Sequence, residues 1–266
     1  MSPPGDGTKK RSRAYRKVLE DTSGGRFLFD EVILMNKEKK TKTKYFSTGE
    51  IVLWSVSVAL IVASFFVFDR KNFITLIASV IGVTSLIFTA KGNPIGQALM
   101  VVFGIIYGVI SFAQRYYGEM ITYVGMTVPM AVFALISWLR HPFEEGKAEV
   151  KVNKISKIEY ALTVVAGAVV AFGFYFILRA FNTANLIWST VSVATSFYGV
   201  YLTFRRSPLF ALGYVANDVV LIVLWSLASA ENLSFLSMVI CFAAFLANDF
   251  YTFLSWHRMS KRQSND

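Results

Sequence analysis

The chain has one cysteine, two histidines and six prolines in 266 residues. Cys241 has no partner for an internal disulfide and sits in an apolar run, so it reads as a small buried hydrophobe. His141 and His257 are too few to suggest a metal centre. There is no H-E-x-x-H, no C-x-x-C and no G-x-x-x-x-G-K-[ST], so the sequence offers no catalytic set, no cofactor motif and no ATP-driven pump within the chain. Charge is also scarce, at 17% against about 25% in an ordinary soluble domain. The net charge of +10 does not gather on one face but follows the loops, which argues against a nucleic-acid partner.

What the chain has instead is apolar length. Hydrophobic residues make up 55%, and Phe alone contributes 24. A hydrocarbon slab about 30 Å thick needs roughly 20 apolar residues per helix, and backbone inside it must satisfy its own hydrogen bonds. The expected architecture is an all-α membrane protein of about eight transmembrane helices. The spans run Glu50–Phe68, Phe73–Lys91, Ile95–Gln114, Gly118–Leu139, Glu159–Phe181, Asn185–Phe204, Pro208–Ser229 and Leu233–Trp256. Residues 1–49 form a basic leader without the apolar core and small-residue cleavage site of a signal peptide. Its one apolar patch, Arg26 to Met35, reads either as a short helix on the membrane surface or as solvated tail.

Of the 27 Lys and Arg residues, only Arg70, Lys71, Arg115 and Arg179 fall on the side opposite the amino terminus. That bias predicts both termini in the cytoplasm of a cell with the protein in its plasma membrane. A weak internal repeat is also visible. Pro94 and Pro208 each open a span, and Ser137-Trp138 and Ser255-Trp256 each close one. Residues 73–139 and 185–256 then form two three-helix units, joined by a linker helix at 159–181 and preceded by an extra helix at 50–68, with a tail at 257–266. Three helices plus one linker give both units the same orientation, the parallel-repeat plan.

Polar groups inside a span are expensive and normally face a cavity or a partner. Asn217 and Asp218 lie about halfway along their span, and Asn248 and Asp249 nearer the inner end of theirs. They read as substrate contacts or, alternatively, as interhelical hydrogen bonds. Trp188 lies one turn before Ser192, Thr195 and Ser196, so a flat ligand would stack on the indole while hydroxyls meet a ribose. The competing reading is the interfacial aromatic belt, to which Trp54, Trp138, Trp256 and Trp225 are also referred, Trp225 with packing as its alternative. Phe103 and Tyr107 share a helical face as an aromatic pair, Gln97 lies one turn into the same helix, and Glu119 reads as a helix cap. Gly82, Gly104, Gly108 and Gly213 would let helices approach closely.

Ala90-Lys91-Gly92-Asn93, Phe103-Gly104-Ile105-Ile106-Tyr107, Tyr117-Gly118-Glu119, Pro129-Met130, Trp138, Trp188, Ser196, Arg205-Arg206 and Asn217, in this order, resemble the PnuC family of vitamin-precursor transporters. The resemblance covers roughly Phe73 to Arg258. It implies a SWEET-like fold and facilitated diffusion of nicotinamide riboside, riboflavin or thiamine. It also implies uptake made one-way by a cytosolic kinase, a substrate site near the membrane centre, and a homo-oligomer, the trimer. The sequence departs from the family pattern where an Asn becomes Phe103, a Gln becomes Ala131, and two tryptophans become Phe210 and Gly213. Asn217 is retained. The expected function is a facilitative transporter of a vitamin-like nucleoside, nicotinamide riboside first, with riboflavin, thiamine or another nucleoside as alternatives. The competing classes are an intramembrane enzyme using Asp218 or Asp249 and a membrane sensor acting through its leader. The chain is not expected to be an enzyme.

Overall fold

The computed structural model describes residues 45–113 and 116–265. The leader reading for residues 1–44, and the span end at Gln114 with the charge of Arg115, lie outside the described residues. Eight helical segments follow in chain order: α1 Thr48–Phe68, α2 Phe73–Ala90, α3 Pro94–Ala113, α4 Tyr117–Arg140, α5 Lys157–Ala180, α6 Leu186–Phe204, α7 Phe210–Ser229 and α8 Leu236–Arg262, the last entered by a 3-10 turn at Leu233–Phe235. No strand occurs among the described residues beyond an isolated bridge between Pro142 and Val150.

Among the described residues, seven helices are long and apolar enough to cross a membrane, and α6 is not one of them. The reason is in its sequence. Ser189, Thr190, Ser192, Thr195, Ser196 and Thr203 lower the apolarity of a segment of otherwise sufficient length. It packs against α5, α7 and α4, and its exposed large apolar residues, Ile187, Trp188 and Val191, lie in its first two turns. The most exposed faces are those of α1 and α5, where Leu162, Val165, Val169 and Phe172 are 60% exposed or more. Apolar surface this continuous is stable against lipid tails and not against water.

Packing repeats itself along the chain. α2 lies on α3 and α3 on α4, as α6 lies on α7 and α7 on α8, while α2 meets α8 and α4 meets α6. One end of the bundle is closed by matched hydrogen bonds. Trp138 Nε1 donates to the Thr203 carbonyl at 2.9 Å, and Trp256 Nε1 donates to the Thr89 carbonyl at 2.8 Å. Ser137 Oγ donates to Phe204 O at 3.1 Å, and Ser255 Oγ to Ala90 O at 2.7 Å. The serine bonds take up the Phe204 and Ala90 carbonyls at the helix ends, while the Thr203 and Thr89 carbonyls accept the indole N–H in addition to Arg206 N and Gly92 N. Trp138 and Trp256 are therefore not belt residues: they are 1% and 0% exposed, with ring centroids 5.2 Å apart. The loop after α4 lies across the same end, with Val150 N donating to Gly92 O at 2.9 Å and Asn153 N to Arg206 O at 3.0 Å. Gly92 and Arg206 hold the left-handed turn at φ 64° and 57°, which lets each short connection reverse into the next helix.

Within α4 the stretch Tyr123–Thr127 is a π turn, directly ahead of Pro129. Proline has no N–H to donate and crowds the carbonyl four residues back, so the helix widens there instead of breaking. The widening carries Tyr123, Met126 and Thr127 into the core.

Candidate functional site

A serine or threonine in an apolar helix usually satisfies its hydroxyl on the carbonyl one turn back. Ser79, Thr84, Thr163, Thr190, Thr203 and Ser229 all do so, at 2.7–2.8 Å. Ser192 and Ser196 do not. Their hydroxyls leave α6 and donate to Asn217 Oδ1 on α7, at 3.3 and 3.0 Å. Thr195 Oγ1 lies 3.0 Å from the same oxygen, its one proton shared with the Val191 and Ser192 carbonyls, each at 3.1 Å. Three hydroxyls thus converge on one amide oxygen, while the Asn217 amide nitrogen makes no hydrogen bond among the described residues. The approach rests on glycine: a Cβ on Gly213 would lie 2.6 Å from the backbone nitrogen of Gly199, so α6 and α7 touch through bare backbone.

One position along α7, the Asp218 carboxyl lies beside that of Asp249 on α8. Both residues are buried, at 4% and 2% exposure, and Asp218 Oδ2 and Asp249 Oδ1 have no hydrogen-bond partner. Tyr214 has both aspartates as charged neighbours, and Tyr123 from the π turn has Asp218 and Glu119. The ion pairs among the described residues all belong to the opposite kind of place. Glu50–Lys91, Glu144–Lys147, Glu159–Arg205 and Glu149–Arg262 sit at the end that holds the Trp138–Trp256 contact. No cation is paired with Asp218 or Asp249 among the described residues, so their acceptor capacity is left over.

Facing this polar set is an aromatic one. Phe103 and Tyr107 on α3 stand 5.5 Å apart and meet Tyr123 at 6.0 and 4.3 Å. Phe245 and Phe242 of α8 close the cluster, at 5.8 Å from Phe103 and 6.4 Å from Tyr107. The Phe103 ring lies against the bare face of Gly82. The Tyr107 hydroxyl is buried beside the Trp225 indole nitrogen, and neither has a partner but the other.

The expected site residues therefore divide. Asn217, Ser192 and Ser196 come together, Asp218 and Asp249 come together, and Phe103 with Tyr107 form the aromatic side. Three residues stand elsewhere. Trp188 is 40% exposed, one position off the buried stripe of Ser189, Ser192 and Ser196, and a single step turns a helix by roughly 100°. Gln97 is buried between α3 and α2, with Nε2 3.5 Å from Thr89 Oγ1. Asn248 points away from Asp249, donating to Ser57 Oγ of α1 and to Ala244 O, both at 2.8 Å. Glu119 lies in the first turn of α4, as expected of a carboxylate at a helix amino end, and is buried there with Oε2 unpartnered. Tyr123 and Tyr214 carried no signal in the sequence beyond their place near a proline and near Asn217, and the indole nitrogen of Trp225 gave none.

At the end away from Trp138 and Trp256, two clefts open. One, of about 540 Å³ with its mouth included, is lined by Asp69, Asn72, Tyr107, Tyr116, Trp225 and Asn232 among others. Burial raises the Asp69 carboxyl above its ordinary range, against the hydrogen bond from Asn72 Nδ2 at 2.6 Å. The other, of about 410 Å³, is lined by Tyr116, Glu119, Thr183, Asn185, Ser189 and Glu231 with neighbours.

The chain as a whole is similar to known proteins. The profile of a family described as "Nicotinamide mononucleotide transporter" matches residues 72–258. A nicotinamide riboside transporter PnuC of Neisseria mucosa is 25% identical over 260 residues, which is 92% of this chain and 97% of that protein. The crystal structure of a vitamin B3 transporter PnuC superposes with a TM-score of 0.72 at 21% identity, covering 82% of this chain and 94% of the other, and so shares its fold. Both relatives are named as transporters, in keeping with the expectation of a protein that is not an enzyme. With seven helices fit to cross a bilayer among its described residues, the chain is a multi-pass membrane protein, and it belongs to the nicotinamide mononucleotide transporter family.

Proposed function

We propose that this protein is a facilitative transporter of nicotinamide riboside. The observation that carries the reading is the convergence of Ser192, Thr195 and Ser196 on Asn217 in mid-helix, beside two buried carboxyls and opposite an aromatic cluster. Nicotinamide riboside has a flat cationic ring, a carboxamide and ribose hydroxyls. Asn217 with Ser192 and Ser196 would take hydroxyls or the amide, Asp218 and Asp249 would balance the charge, and Phe103 and Tyr107 would face the ring. The name of the Neisseria mucosa relative supports the substrate.

All eight helices cross the membrane in this reading, with α6 packed against α5, α7 and α4. Residues 73–139 and 185–256 act as two parallel units joined by α5, in support of which stand the paired Trp-to-carbonyl bonds and the paired helix contacts. Rocking of one unit on the other exposes the centre to each side in turn. Both termini lie in the cytoplasm, following the bias of Lys and Arg. A cytosolic kinase draws uptake inward by phosphorylating the substrate, and the working form is a homo-oligomer, a trimer.

The test is thermal unfolding of the purified full chain against nicotinamide riboside, riboflavin, thiamine and other nucleosides. A ligand at a hundredfold excess over Kd stabilises by roughly 2.7 kcal/mol. A rise with nicotinamide riboside supports the reading. A rise with another vitamin alone changes the substrate, and no rise with any compound removes the transporter.

A further inference from the structure

The aromatic cleft at the open end has a composition of its own. Tyr116, Trp225 and Phe235 form one wall, with ring centroids 5.3 Å apart for Tyr116–Trp225, 5.7 Å for Tyr116–Phe235 and 5.3 Å for Trp225–Phe235. At the inner side lie the Trp225 indole N–H, at 4% residue exposure, and the Tyr107 hydroxyl, at 2%, side by side and with no partner but each other. An indole nitrogen only donates and a phenol oxygen can accept, so these two face each other when the cleft is empty and a ligand oxygen there would take the N–H over from Tyr107. At the mouth stands the Asp69 carboxylate, held by Asn72. Neither this cleft nor its neighbour is lined by a Lys, Arg or His among the described residues, and the neighbour adds Glu119 and Glu231. Arg70, next to Asp69 in the chain, turns back to the Phe66 carbonyl at 2.6 Å.

We propose that this cleft is a second binding site, an entry subsite for a flat cationic heteroaromatic amide. The ring lies on the Tyr116–Trp225–Phe235 wall, the carboxamide oxygen accepts from the Trp225 N–H, and Asp69 faces the positive charge. A cation over aromatic faces is attracted by their quadrupoles, and a carboxylate nearby adds to that attraction. The identification of the ligand class rests on the transporter reading above, because nicotinamide riboside presents this head group. The placement of the site does not rest on it. Tyr107 belongs both to this cleft and to the aromatic cluster at mid-helix, so the subsite ends where the central site begins.

The experiment is equilibrium binding to the purified full chain, with 1-methylnicotinamide as the cationic amide probe, nicotinamide as its uncharged counterpart, and nicotinamide riboside. The proposal expects a 1-methylnicotinamide site that survives in Asn217→Ala and that weakens about tenfold or more in Asp69→Asn and in Trp225→Phe. Nicotinamide is expected to bind at least about tenfold more weakly than its methylated form. Asp69 lies between α1 and α2 and Asn keeps its shape and an acceptor for Asn72, so Asp69→Asn stays informative even if Trp225→Phe unfolds. Loss of 1-methylnicotinamide binding in Asn217→Ala, indifference to Asp69→Asn, or no binding at all overturns the subsite. A protein that binds nicotinamide riboside in one class of site, removed by Asn217→Ala, keeps the transporter and loses the subsite. One that binds 1-methylnicotinamide at the cleft but no nicotinamide riboside keeps the subsite and loses the substrate.

Discussion

Thr89 at the end of α2 and Thr203 at the end of α6 each accept an indole N–H from the far half of the molecule, at 2.8 and 2.9 Å. Away from that end the two halves part. Phe103 stands as far from Pro94 as Asn217 does from Pro208, and Gly82 as far ahead of Thr89 as Ser196 is ahead of Thr203. Where the second half puts a hydroxyl on an amide, the first puts a ring on a glycine. Gly104 and Ala131 likewise occupy the places that correspond to Asp218 and Asp249. The lesson is a division of labour. In the two-unit reading proposed above, the matched ends hold the halves together and leave the middles to differ, one carrying hydrogen-bonding chemistry and the other a flat apolar wall.

The largest effect is expected where the polar half is broken. Asp218→Asn keeps the shape and removes a carboxyl, and it should weaken binding of a cationic substrate about tenfold or more while sparing an uncharged analogue. Competition binding with charged and uncharged ligands reads this directly. Equal loss for both would make Asp218 a packing residue.

The matched ends come next. Trp138→Phe and Trp256→Phe should each lower stability by about 1 kcal/mol, the scale of an interhelical hydrogen bond in a membrane. The two losses should be equal within error, as measured by denaturation in detergent micelles. An unequal pair would show that the two ends are alike in geometry only. Asn248→Ala should cost a similar amount, about 1 kcal/mol, with no effect on ligand affinity, because its partners are Ser57 and Ala244 and not the Asn217 set. The smallest effect is expected at Trp188→Ala. Its side chain is exposed and away from the converged hydroxyls, so uptake should stay within about twofold of the unaltered protein.

The helices were legible because the bilayer leaves an apolar run no alternative to helix, and the observed ends fall close to the expected ones, as at Thr48–Phe68 for Glu50–Phe68. Gly213 was legible for the same kind of reason, since a residue without Cβ amid large neighbours marks close approach. Asn217, Ser192 and Ser196 could be paired by their cost in lipid. Azimuth was harder. Asn248 and Asp249 are adjacent in the chain and roughly 100° apart on the helix, so one faces α1 and the other Asp218. Trp138 and Trp256 sit at the depth of an aromatic belt, yet they turn inward to carbonyls at the ends of α6 and α2, and depth alone does not reveal direction. The π turn that brings Tyr123 inward follows from Pro129 but shifts register by an amount that a 3.6-residue pattern does not anticipate.

The central claim is that the Asn217 cluster binds the substrate that the protein carries. The direct test is entry of labelled nicotinamide riboside into proteoliposomes holding the full chain, with and without Asn217→Ala. The account predicts saturable entry that stops at equal concentrations inside and out, and a fall of about tenfold or more in Asn217→Ala at unchanged protein incorporation. No saturable entry, or entry that Asn217→Ala leaves unaltered, contradicts it.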